Sequence, residues 1–121
     1  MDNRPEDIKS RTFRFSIMVF NLVKTIQIDP TFKFLINQLL RSATSIGANI
    51  IEGKSSSSRK ELTPYYQIAL KSANETKYWL LLLQEVIQTK SELLLSILDE
   101  CEQLSKILGK SVVNLKSEPR A

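Results

Sequence analysis

Histidine is absent from this chain of 121 residues. That absence removes Ser-His-Asp and Cys-His catalysis and the commonest metal ligand together. It also removes the Glu-x-x-His pairs by which carboxylate bundles hold two irons. Cysteine occurs once, as Cys101. No internal disulfide and no paired-cysteine zinc site can form, and a lone cysteine fits a reducing cytoplasm. Glycine occurs three times, never as a P-loop or a G-x-G-x-x-G run. The prolines stand at 5, 30, 64 and 119 and leave three long stretches free of Pro, which favours an all-helical chain. No basic-then-apolar leader opens the chain, since Met1 to Ser10 is of mixed charge. The longest apolar run, Tyr78 to Leu83, is far short of the ~20 residues a membrane span needs. The expectation is a cytoplasmic, non-enzymatic protein with no cofactor, no metal and no membrane partner.

What is present reads as helix. Hydrophobic residues make up 42% of the chain, enough for a core, and the length fits one domain. The first helix is expected over about 10–27. Phe15, Val19, Leu22, Val23 and Ile26 form one apolar stripe, and Phe13, Ile17 and Phe20 a second, more than one bundle core needs. Ile28 to Thr31 reads as a turn, and Thr31 can cap a second helix over about 32–52 that Gly53 closes in the left-handed conformation. Ser58 to Glu61 fits a capping box, but Pro64 would remove a hydrogen bond from a helix begun there. The preferred reading is a turn at 59–63, then a helix over about 64–89 with Thr63 as cap. Its inner face is expected to hold Tyr65, Ala69, Ser72, Thr76, Trp79, Leu83 and Val86 or Ile87, with Tyr66 and Tyr78 as the exposed aromatic pair. The fourth helix, about 91–115 with Ser91 as cap, carries a seam of Leu94, Ile97 or Leu98, Cys101, Leu104, Leu108, Val112 and Leu115. Cys101 on that seam reads as a small core residue. Residues 1–9 and 116–121 read as frayed ends. Four long helices on short loops run up-down-up-down, an antiparallel four-helix bundle.

Within the second helix, Gln38, Arg41, Ser45, Asn49 and Glu52 share one narrow polar face among apolar stripes. Such a helix is enclosed on several sides, its polar residues paired inside or aimed at a partner. With Glu75 of the third helix these residues form an expected polar network in which Arg41 pairs with Glu75, or with Glu52 of another copy.

The run Gln38 to Gly53, QLLRSATSIGANIIEG, resembles the four-helix-bundle family of proteins encoded in intervening sequences of bacterial 23S rRNA genes. That family's motif is roughly Q-x-x-R-[AS]-x-x-S-I-x-x-N-I-x-E-G. Gln38, Arg41, Ser42, Ser45, Ile46, Asn49, Ile50, Glu52 and Gly53 stand at its positions. Leu39 to Asn49 matches one branch, L-L-R-S-x-T-S-I-G-A-N, almost throughout. Ile68 to Leu83 resembles that branch's second motif, with Ser72 where it often has Glu. The resemblance spans about residues 12–110. It implies a homo-oligomer, a closed pentameric ring, since members of this family and the similar accessory proteins of diversity-generating retroelements form such rings.

Net charge is +4, with the excess in residues 1–60. Arg11 and Arg14 lie close together on the first helix, and Lys54, Arg59 and Lys60 cluster around one loop. These five are the candidate phosphate contacts, and a ring would repeat them around an axis. The reading is an oligomeric module that binds RNA or DNA, or a nucleic-acid-handling protein such as a reverse transcriptase. The alternative is a protein-binding scaffold without nucleic-acid affinity.

Overall fold

The computed structural model describes residues 6–27, 29–88 and 91–117. It holds four helices: α1 (Ile8–Lys24), α2 (Pro30–Gly53), α3 (Arg59–Ile87) and α4 (Glu92–Lys116). The expected loose ends, 1–9 and 116–121, are shorter than read: Ile8, Lys9 and Lys116 are helical, and 1–5, 118–121, Ile28, Thr89 and Lys90 lie outside the described residues.

Each helix starts on a side chain that accepts from the backbone N–H groups left unpaired by the first turn. Asp7 accepts from Ser10 N at 2.7 Å, and Ser91 from Leu94 N at 3.0 Å. The cap of α2 is Asp29, not Thr31. Its carboxylate accepts from Thr31 N at 2.8 Å and Phe32 N at 3.2 Å, with Pro30 as the first helical residue. The start of α3 also differs from expectation. Ser58 caps it, accepting from Glu61 N at 3.2 Å, while Glu61 reaches back to Ser57 N at 2.9 Å. The capping box outweighs the one hydrogen bond lost at Pro64, which stands inside the helix. Gly53 is not left-handed: no glycine among the described residues has positive φ, and Gln88, at φ 49°, closes α3 instead. Gly53 is needed for space, because a Cβ there would lie 3.0 Å from Leu62 Cδ1 and 3.2 Å from Tyr65 Cβ.

The helices pack in a closed square, α1 on α2, α2 on α3, α3 on α4 and α4 on α1. Cross-helix pairs fix the antiparallel sense. Ser42 meets Thr76 and Ser45 meets Ser72 across α2–α3. Arg59 meets Asn114 and Ala73 meets Cys101 across α3–α4. The fold is an all-α four-helix bundle.

The α4 seam is buried as its spacing predicts, from Leu94 to Val112. On α1, Phe15, Val19 and Leu22 face the core, while Phe13, Ile17 and Phe20 stay 60, 45 and 46% exposed. On α3 the centre of the buried face is Ala69, Ala73, Thr76, Leu80 and Leu83. Trp79 and Tyr65 sit half-buried at its edge. Small residues on both sides, Ser42 and Ala43 against Ala69, Ala73 and Thr76, bring α2 and α3 too close for an indole between them. Trp79 instead packs edge-on against Phe34 and Tyr78, centroids 6.1 and 5.0 Å away. Tyr78 is exposed as expected; Tyr66 is half-buried, not exposed.

Candidate nucleic-acid interface

The five basic candidates do not behave alike. Arg11 and Arg14 are committed to α4. The Arg11 guanidinium grips Glu100 through two bonds, Nε to Oε2 at 2.7 Å and Nη2 to Oε1 at 2.9 Å, and also donates to Gln103 at 2.7 Å. Arg14 donates to Glu100 at 3.3 Å and to Glu6 at 2.9 Å. Glu100 is the one buried carboxylate among the described residues, and two guanidiniums satisfy it. The hydrogen bonds to Glu100 and Glu6 hold Arg11 and Arg14 firmly in their charged forms. Such a clamp ties α1 to α4, while the Arg14 side chain stays about half exposed.

Lys54, Arg59 and Lys60 are exposed around the α2–α3 connection. None of them pairs with a carboxylate among the described residues. Arg59 donates to the Asn114 carbonyl in the last turn of α4, which also accepts from Ser117 N at 3.3 Å. The free edge of its guanidinium faces solvent.

The polar stripe of α2 divides in two. Its central part is a hydroxyl and amide chain. Asn49 donates to the Ser45 carbonyl at 2.8 Å and to Ser45 Oγ at 3.1 Å, and Ser72 donates to Ser45 Oγ at 3.0 Å. Thr76 and Ser42, which the stripe did not include, continue it across the buried seam. The charged part does not form as expected. Arg41, Glu52 and Glu75 are exposed, and the expected Arg41–Glu75 pair is absent among the described residues; half-buried Gln38 makes no side-chain bond there either. Their angles put them at the outer lip of the α2–α3 seam, where water solvates charge at no cost in desolvation.

Two recesses bear on function. One, of about 540 Å³, lies at the α2–α3 end and is lined by Glu52, Ser55, Ser56, Glu61, Pro64, Tyr65 and Ile68. Arg41 and Glu75 do not line it. The other is an apolar groove of about 300 Å³ between α1 and α2, formed by Phe13, Ile17 and Phe20 against Thr44, Gly47 and Ile51. Among the described residues no cluster of His, Cys, Asp or Glu is arranged to hold a metal ion. Among the described residues no helix is long and apolar enough to cross a membrane. Burial pushes the Cys101 thiol up to about 12.

The family model of the 23S rRNA-intervening sequence protein matches residues 6–110. A crystal structure of a protein with unknown function from the S23 ribosomal protein family of Bacteroides thetaiotaomicron superposes with a TM-score of 0.78. It shares 35% identity and covers 88% of this chain and 98% of its own. No curated protein matches. The chain belongs to the 23S rRNA-intervening sequence protein family.

Proposed function

We propose that this member of the 23S rRNA-intervening sequence protein family is a non-enzymatic assembly module whose copies join through the α1–α2 groove and together hold nucleic acid. One observation carries the assembly: Phe13, Ile17 and Phe20 form an exposed apolar ridge on α1 that continues onto Ile51 of α2. A ridge of that kind on a small protein marks a contact surface. A second copy is its occupant, in a pentameric ring by likeness to the family. The unpaired cations Lys54, Arg59 and Lys60 support the nucleic-acid part.

The second reading is a protein scaffold that presents the same groove to a nucleic-acid-handling protein. The commitment of Arg11 and Arg14 to Glu100 favours it, since it thins the positive charge available.

Light scattering and fluorescence anisotropy on one preparation test both parts. A ring-sized mass that falls to the monomer in the Phe13→Ser, Ile17→Ser, Phe20→Ser variant, with helicity retained, supports self-association. RNA or DNA affinity that weakens steeply with salt supports the nucleic-acid module. A ring-sized particle with no nucleic-acid affinity would move the assignment to the scaffold. A wild-type monomer would remove self-association.

A further inference from the structure

Counting charge along the sequence hides how the fold sorts it. Cross-helix pairs set the α3–α4 register: Arg59 to Asn114, Asn74 to Ser105, Ala73 to Cys101 and Lys77 to Glu102. The first half of α3, residues 59–74, therefore lies beside the second half of α4, residues 103–117. These two stretches hold six basic residues, Arg59, Lys60, Lys71, Lys106, Lys110 and Lys116, against the single carboxylate Glu61. That excess is larger than the +4 of the whole chain. The opposite half of the hairpin, residues 75–87 and 92–102, reverses the ratio: Glu75, Glu85, Glu92, Asp99, Glu100 and Glu102 against Lys77.

The two halves differ in more than sign. Glu100 is neutralised by Arg11 and Arg14, and Glu102 by Lys77. On the basic half all six cations are exposed, and none has a carboxylate partner among the described residues. Glu61 is the one carboxylate on this half, and it accepts from the Ser57 backbone N–H and hydroxyl instead of pairing with a cation. Lys60 and Lys71 are roughly 16 Å apart along α3, and Lys106 and Lys110 lie beside the interval between them. This is an extended row of unpaired positive charge.

We infer that the basic half of the α3–α4 hairpin, centred on Lys60, Lys71, Lys106 and Lys110, is a docking face for the phosphodiester backbone of duplex nucleic acid. The inference rests on the nucleic-acid reading proposed above. It extends the contacts from Lys54, Arg59 and Lys60 at the α2–α3 connection along α3 and onto α4. Duplex is favoured over single strand by two features. A duplex presents more phosphate charge per unit length. Single-strand binders add stacking aromatics, and no exposed aromatic stands in residues 59–74 or 103–117. Binding by charge alone is independent of base sequence.

The test is anisotropy on the full chain with a 20-base-pair RNA duplex, its single strand, and a salt series. The Lys106→Gln, Lys110→Gln variant is compared with a Lys24→Gln, Lys33→Gln variant that loses the same charge from the other end of the bundle. All four positions are exposed on helix surfaces. Roughly tenfold weaker duplex binding in the first variant is expected, with a salt slope smaller by about 2, and wild-type behaviour in the second. Wild-type affinity in the first variant overturns this inference while leaving the nucleic-acid reading on the α2–α3 loop. Equal losses in both variants overturn it in favour of net charge. Tighter binding of the single strand overturns the preference for duplex. Wild-type protein that binds neither probe overturns the underlying nucleic-acid reading as well.

Discussion

Ser42 of α2 and Thr76 of α3 meet hydroxyl to hydroxyl at 2.9 Å in the closed centre of the bundle. Thr76 is fully buried and Ser42 nearly so. Ser42 Oγ donates onward to the Leu39 carbonyl at 3.2 Å, and the Ser72 carbonyl lies 2.7 Å from Thr76 Oγ1. Thr76→Val strips Ser42 of a partner and is expected to cost about 1–2 kcal/mol in urea unfolding. The Ser42→Ala, Thr76→Val double variant is expected to cost less than the two singles together, since it leaves neither side unsatisfied. Strict additivity would show that the hydroxyls act independently.

The Glu100 clamp should be a major polar contribution to the docking of α1. Glu100→Gln keeps the shape but removes the charge that holds Arg11 and Arg14 together. A loss of about 2–3 kcal/mol is expected, read by thermal or urea unfolding. An unchanged midpoint would show that the two arginines are equally content in water.

Low pH should weaken the helix starts. The Ser10 backbone N–H holds the Asp7 carboxyl below its ordinary value, and the Ser57 backbone N–H does the same for Glu61. Lys77 lowers Glu102. A carboxylate whose folded pKa is depressed contributes stability above its unfolded pKa and loses it as pH falls through the folded one. Stability is therefore expected to be level from neutrality to about pH 5 and to decline below about pH 4. A flat urea midpoint down to pH 2.5 would contradict the assignment.

Two glycines should respond oppositely to alanine. Nothing lies within 4 Å of a Cβ built at Gly109, so Gly109→Ala in mid-α4 is expected to stabilise by about 0.5–1 kcal/mol. At Gly53 the same gain meets Leu62 Cδ1 and the less yielding Tyr65 Cβ. Gly53→Ala is expected to come out net destabilising. Differential scanning calorimetry on both variants decides the signs.

Cys101 donates to the Ala73 carbonyl at 3.3 Å and is fully buried. A thiol pushed up to about 12 has almost no thiolate at neutral pH. Labelling by a thiol reagent should follow the opening rate of the fold. Fast labelling of the native protein would place Cys101 outside the core.

The sequence made the apolar skeleton legible because burial follows helical period. The α4 seam and the double face of α1 both stand where spacing puts them. Less legible were features that depend on which helix lies beside which. Arg11 and Glu100 are 89 positions apart, and nothing local marks Arg11 as spoken for. The basic α3–α4 face was missed for the same reason: a count by halves of the chain merges the cations of late α4 with the acids of early α4. Pro64 misled because the cost of one lost bond was set against a capping box whose strength depends on geometry. Trp79 misled because periodicity measures direction but not available width.

Pro64 has one more consequence. Lacking an N–H, it leaves the Lys60 carbonyl without its ladder partner, so the opening turn of α3 is joined to the rest of the helix by one bond fewer. That turn carries Arg59 and Lys60. The two cations at this end are therefore held in place by the Ser58–Glu61 capping box in place of the missing ladder bond.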